Sequence, residues 1–173
     1  MPVAVFLKGI NVGGHRRLRP SVLAKELERF DIVSLGAAGT FVVRKAVERS
    51  KLCAAIVGRV PFEVDVMICS ENEIHRLIAS KPFDCIDQER DIISFVGVTA
   101  TRQQPWTKGP LRLPSSGAWG LKVLKCQDRF VVGLYRRQMK VLSCFSQLER
   151  ICGGPLAIRN WNTILAVNRA LQA

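Results

Sequence analysis

The sequence predicts an α+β protein in two parts, and three observations predict it. Short strand-like apolar runs alternate with helix-spaced stripes through the first half. An acidic connector over residues 84–91 precedes a reversal of the charge balance. A stretch rich in proline, glycine and serine, 101–120, stands where a helix is expected if the second half repeated the first. At 173 residues and 48% hydrophobic content, the chain can bury an ordinary core in one large domain or two small ones.

The elements follow in order. Residues 3–7 read as a short buried strand, and Pro20 suits the first turn of a helix striped by Leu23, Leu27 and Phe30. Residues 31–36 and 40–43 form two strands joined by the small-residue turn Ala37-Ala38-Gly39. A second helix over 46–60 places Leu52, Ile56 and Val60 four apart and ends at Pro61. Residues 62–68 alternate, with Phe62, Val64, Val66 and Ile68 inward and Glu63, Asp65 and Met67 on the other face. This βαββαβ order is the ferredoxin-like arrangement, in which both helices cover one face of a four-stranded antiparallel sheet.

Ser70-Glu71-Asn72-Glu73 has capping-box spacing and opens a third helix with Ile74, Leu77 and Ile78 inward, closed by Lys81-Pro82-Phe83. The first domain is therefore expected over 1–83. The second, 84–173, is an incomplete α+β unit. It begins with a strand over 92–99, continues through the loop 101–120, and has a hairpin of 121–125 with 129–135. Val141, Phe145, Leu148 and Cys152 mark a helix stopped by Gly153-Gly154-Pro155, and a last helix starts near Asn160 with Ile164, Leu165 and Leu171 inward.

The formal charge is +12, from 26 basic and 14 acidic residues. Residues 1–91 hold 14 basic against 12 acidic side chains, and residues 92–173 hold 12 against 2, so the second half is the polycation. Such a surface concentrates polyanions and speeds their association, although a solvated surface carries the same charge. The six cysteines form no C-x-x-C pair and find no histidine partner, which points to reduced thiols and no metal. Residues 3–7 lack a basic leader and a small-residue cleavage site, and no apolar run spans a membrane, so a cytoplasmic protein without membrane partners is expected.

The most informative segment runs from Lys8 to Pro20. Gly9, Gly13 and Gly14 can adopt positive φ and let main-chain N–H groups approach an oxyanion, while His15, Arg16, Arg17 and Arg19 add charge before the helix at Pro20. With Lys8 and Asn11 these residues make an anion-binding candidate, and the same glycines equally suit a tight strand-to-helix crossing. The spacing is neither a P-loop nor a dinucleotide fingerprint. Near the C-terminus, Arg159, Asn160 and Asn162 form a second group that either converges on a ligand or caps and packs the last helix. Arg102, Trp106, Lys108, Arg112 and Trp119 in the long loop, with Arg136, Arg137 and Lys140 after the hairpin, mix cations and aromatics able to neutralise phosphates and stack bases. His15 and His75 are the only imidazoles, no nucleophile, base and orienting group can be assembled, and no cofactor is implied.

Gly9-Ile10-Asn11-Val12-Gly13-Gly14 resembles the L-R-G-I-N-V-G-G signature of a bacterial family known only as a domain of unknown function. Arg159-Asn160-Trp161-Asn162-Thr163 is similar to that family's R-N-W-N-T, and Lys81-Pro82-Phe83 to its N-P-F, in the same order along the chain. The resemblance implies a two-part α+β fold with a ferredoxin-like N-terminal unit and no known substrate, cofactor or catalytic residue. The chain departs from the family pattern with Ala38-Gly39-Thr40 in place of S-G-N, Lys8 in place of arginine, and residues 135–140 in place of a segment rich in glycine, serine and lysine.

Three functional expectations follow. The first is a non-catalytic binder of an anionic partner, most of all nucleic acid held by its phosphates. Residues 39–43 lack the second and third aromatics of the common ferredoxin-like RNA-binding motif, so sequence preference should be weak. The second is a phosphate or carboxylate site, enzymatic or not, that joins the glycine loop to Arg159 and Asn160. The third is a protein-interaction module or homodimer using the free face or an edge of the first sheet.

Overall fold

The computed structural model describes residues 1–86, 89–105 and 109–173. Two compact units divide the chain: Met1–His75 with Thr163–Ala173, and Arg76–Asn162. This division falls before the 83/84 boundary read from the sequence and assigns most of the last helix to the first unit.

The first unit runs β1 (Val3–Lys8), α1 (Pro20–Glu26), β2 (Ile32–Ser34), β3 (Thr40–Val43), α2 (Arg49–Val57) and β4 (Asp65–Ser70). The sheet order is β2-β3-β1-β4 with every pair antiparallel, the ferredoxin-like topology. Val3, Val5 and Leu7 of β1 pack with Phe41, Val43 and Ile68 against Leu23 and Leu27 of the first helical segment and Leu52 and Ile56 of the second. Helix α3 (Glu71–Ala79) opens on the expected capping box: Glu73 Oε2 accepts from the Ser70 amide at 2.7 Å, and the Glu73 amide donates to Ser70 Oγ at 3.3 Å.

The sheet's second face is not free. Ala4, Phe6, Val42, Met67 and Cys69 are all buried, so Met67 belongs to a core and not to an outer face with Glu63 and Asp65. The cause is legible in the strands, whose alternate positions are apolar on both sides, as in sheets covered on both faces. An association through an open face of this sheet is thereby removed, leaving its edges, β2 and β4.

The second unit holds β5 (Ile92–Val98), β6 (Leu111–Leu113), β7 (Leu121–Gln127), β8 (Phe130–Arg136), α4 (Val141–Cys152) and β9 (Ala157–Asn160), after which α5 (Trp161–Gln172) begins. Its sheet order, β6-β7-β8-β5-β9, contains β7-β8-β5-β9, the same antiparallel order as the first sheet. Among the described residues no helix lies between β5 and β6, and β6 is added at the sheet edge. The core gathers Phe95, Leu121, Val123 and Val131 beneath Cys144 and Leu148 of α4. Neither β6 nor β9 is anticipated by the sequence: β6 lies inside the stretch rich in proline, glycine and serine, and β9 occupies the approach to the last helix.

Candidate functional site

The glycine loop is a small hairpin. Gly13 (φ 57°) and Gly14 (φ 77°) occupy the two central positions of a turn in which the His15 amide donates to the Val12 carbonyl at 3.0 Å, the type I′ geometry. The Asn11 amide adds a second rung by donating to Arg16 O at 2.9 Å. Asn11 Nδ2 also donates to Leu18 O (3.0 Å) and Ala37 O (3.1 Å), and its Oδ1 accepts from the Leu18 amide at 2.9 Å. The amides of Asn11, His15 and Leu18 are thus engaged by the protein itself. Two successive left-handed residues also differ from the αR-αL alternation that aims neighbouring N–H groups at an anion.

The charges of this loop remain at the surface. His15, Arg16, Arg17 and Arg19 are exposed; Arg16 Nη1 reaches Glu63 O at 3.5 Å and Arg17 Nε donates to Gly14 O at 3.2 Å. Arg17 and Arg19 border a shallow depression with Asn11, Gly14 and Leu18. Lys8 is half-buried opposite Asp65 of β4; loss of water lowers its pKa, and the Asp65 charge raises it by less. Gly9 (φ 87°) completes the signature, with Arg16 Nη1 3.3 Å from where a Cβ would stand.

The C-terminal group divides. Arg159 lies opposite Val96 and Asn160 opposite Phe95 on β5, so strand alternation sends their side chains to opposite faces. Arg159 is 7% exposed and donates to the carbonyl of Ile158 at 2.8 Å, and burial pulls its pKa down to about 10. Of the two readings the sequence left open for this group, the register does not support convergence of Arg159 with Asn160. Asn160 and Asn162 instead line a cavity of about 230 Å³ with Ser94, Trp161 and Arg137. Phe83 braces Trp161 edge-on. The glycine loop belongs to the first unit and the Arg159–Asn162 group to the second.

The cation and aromatic set also separates. Arg112 faces Lys122 across β6 and β7, Lys122 faces Leu134 on β8, and Arg136 stands two residues beyond Leu134, so the three cations share one sheet face. Trp119 lies among them, with the Arg136 guanidinium 4.5 Å and Lys122 Nζ 5.8 Å from its ring centroid. Arg136 also pairs with Asp91 at 3.0 Å. Arg102 pairs with Asp128 at 3.5 Å, Arg137 belongs to the cavity, and Lys140 is exposed just before α4. Trp106 and Lys108 lie outside the described residues. Lys122 was missed from sequence; its signal is the alternation Leu121-Lys122-Val123. Phe41, the one aromatic of residues 39–43, is fully buried and offers no base a stacking surface.

His75 is half-buried, with its Nε2 3.1 Å from Gln172 Nε2. Burial pushes the Cys126 thiol up and, with Cys126 beside it, the Cys152 thiol up to about 11. Among the described residues no group of three or more His, Cys, Asp and Glu side chains could hold a metal ion, and no helix is long and apolar enough to cross a membrane.

These features describe two α+β units, one carrying a cationic sheet face beside a small polar cavity. Residues 1–108 match the family described as "Protein of unknown function (DUF1697)", and the chain belongs to that family. No curated protein matches. Among solved structures, the conserved bacterial protein SP0830 from Streptococcus pneumoniae is similar in fold, with a TM-score of 0.64 over 98% of both chains at 15% sequence identity.

Proposed function

We propose that this protein is a non-catalytic binder of an anionic partner, and that the partner is nucleic acid held through its phosphates. The observation that carries the reading is the pairing of Arg112 directly opposite Lys122, with Arg136 and Trp119 beside them. Like charges opposite one another on a sheet cost folding free energy, and a bound polyanion turns that cost into attraction. No ion pair with an acidic side chain engages Arg112 or Lys122 among the described residues. Around them the unit 76–162 carries 14 basic against 6 acidic residues, so approaching phosphates meet a positive field.

Phosphate contacts hold and orient a strand without reading its bases, so the expected binding is tolerant of sequence. Fluorescence anisotropy with a labelled single-stranded 20-mer at low salt tests the reading. Two strands of unrelated sequence should bind within about threefold of each other, and the Arg112→Ala/Lys122→Ala double variant should weaken both by at least about tenfold. Undetectable binding at low ionic strength, or full affinity in the double variant, overturns it.

A further inference from the structure

We propose that a groove in the first unit, running from the glycine turn along the exposed side of α1, binds a small phosphate monoester through Arg17 and Arg19. The groove takes no residue from the cationic sheet face, and its ligand is a small molecule in place of a polymer.

Two depressions meet here. One, of about 490 Å³, is lined by Asn11, Gly14, Arg17, Leu18 and Arg19. The other, of about 230 Å³, continues past the last three of these residues to Val22, Glu26 and Arg59. Together they reach the size of small-molecule sites, which begin at roughly 300 Å³. Leu18 packs on the core of the unit, and Asn11 holds both of its main-chain groups: the Leu18 amide donates to Oδ1 at 2.9 Å, and its carbonyl accepts from Nδ2 at 3.0 Å. The segment is pinned at its middle residue, so Arg17 and Arg19 enter the same groove from Cα atoms roughly 5.5–7 Å apart.

The chemistry of these two side chains selects the ligand. Arg17 Nε donates to Gly14 O at 3.2 Å, which fixes the guanidinium against the turn and uses none of its Nη donors. Among the described residues no ion pair joins Arg17 or Arg19 to an acidic side chain. Two like charges held side by side repel, and a dianion between them turns the repulsion into charge-assisted hydrogen bonds. A phosphate monoester carries nearly two charges at neutral pH and three acceptor oxygens, enough to engage both guanidinium groups. The helix itself does not hold the anion. It begins with Pro20, which has no N–H, and the amides of Val22 and Leu23 are taken by Arg19 O at 3.0 and 3.1 Å.

Farther along α1 the groove changes character. Val22 is 47% exposed and offers an apolar surface, and Arg59 Nε stands 3.8 Å from Glu26 Oε2 at the far end. That pair is neutral as a whole, and Glu26 repels a second phosphate. The positive charge is therefore concentrated at the turn, which orients an elongated ligand: its phosphate lies between Arg17 and Arg19, and its organic body lies along Leu18 and Val22. A nucleic-acid strand would bring a further phosphate against Glu26, so the arrangement favours a molecule with one.

The test is a titration of the ¹⁵N-labelled protein at pH 7.5, followed by amide NMR, with phenyl phosphate, phenyl sulfate and inorganic phosphate. Phenyl phosphate should shift the amides of Leu18 and Val22 and bind at least about tenfold more tightly than phenyl sulfate, which has the same shape and one charge fewer. It should also bind at least about fivefold more tightly than inorganic phosphate, because only the ester has a body to lay on Leu18 and Val22. Arg17→Gln/Arg19→Gln should weaken phenyl phosphate at least about tenfold, and Arg17→Lys/Arg19→Lys should lose less, keeping the charge without the two-point geometry. In the unaltered protein, Leu18 and Val22 amides unmoved by phenyl phosphate up to about 10 mM, or moved at equal affinity by phenyl sulfate, overturn the proposal. Equal affinity for inorganic phosphate overturns the monoester assignment, and full affinity in the double glutamine variant overturns the role of the two arginines.

Discussion

Phe83 meets Trp161 edge to face, with ring centroids 5.1 Å apart and ring planes at 68°. The contact joins the Lys81-Pro82-Phe83 turn to the signature around Asn160, so a motif far away in sequence braces Trp161, which lines the cavity. An edge-on aromatic pair contributes about 0.5–1.5 kcal/mol beyond the area it buries. A double-mutant cycle with Phe83→Leu and Trp161→Leu, read by urea denaturation, should return a coupling in that range. Additive effects would show that the two rings act independently.

Asn11 ties the glycine loop to its neighbours through three side-chain hydrogen bonds, two to Leu18 and one to Ala37. The position is exposed, so each bond has a modest net value, and Asn11→Ala should lower the unfolding free energy by about 1–2 kcal/mol. Asn11→Asp keeps the acceptor for the Leu18 amide and loses both donors, so its loss should be intermediate. Denaturation midpoints for the three proteins in one buffer provide the check.

Gly39 and Gly13 both have positive φ but differ in surroundings. A Cβ on Gly39 would stand 2.6 Å from Ile10 Cδ1 and 3.0 Å from Leu7 Cβ, whereas one on Gly13 would meet nothing within 4 Å. Gly13→Ala should therefore cost only the left-handed strain, about 1–2 kcal/mol, and Gly39→Ala that strain together with about 1–3 kcal/mol of overpacking. Equal losses in thermal melts would contradict this difference in packing.

The thiols should react in a fixed order. Cys85 is exposed, Cys69 and Cys144 are buried, and Cys152 has its pKa pushed up to about 11. The thiolate is the nucleophile, so at pH 8 only about one Cys152 in a thousand is reactive, rising about tenfold per pH unit toward pH 11. Peptide mapping after brief iodoacetamide treatment at pH 8 should find Cys85 modified and Cys152 intact. Cys152 modified as fast as Cys85 would contradict the burial.

Parts of the first unit were legible from local patterns: the alternation through Ile68 overlaps β4 though it misplaced the buried Met67, and the Leu52 and Ile56 spacing and the Ser70–Glu73 capping box correspond to α2 and the start of α3. The missing helix of the second unit was visible in the composition of residues 101–120. Pairing was harder to read. Nothing local in Ala157–Asn160 announces a strand, so the opposite facing of Arg159 and Asn160 could not be foreseen. The grouping of Arg137 with Asn160 and Ser94 likewise depends on where β9 stops, a tertiary fact. The glycine signature was readable as positive-φ geometry, but the role of Asn11 as a staple required knowing that Leu18 and Ala37 lie beside it.

The most direct measurement is the salt dependence of single-strand binding, from 25 to 200 mM potassium chloride in roughly twofold steps. Three phosphate contacts, by Arg112, Lys122 and Arg136, should give a slope of log K against log salt of about −2, and the Arg112→Ala/Lys122→Ala double variant should reduce its magnitude by more than half. A slope near zero, or the same slope in both proteins, would contradict a phosphate-binding role for this sheet face.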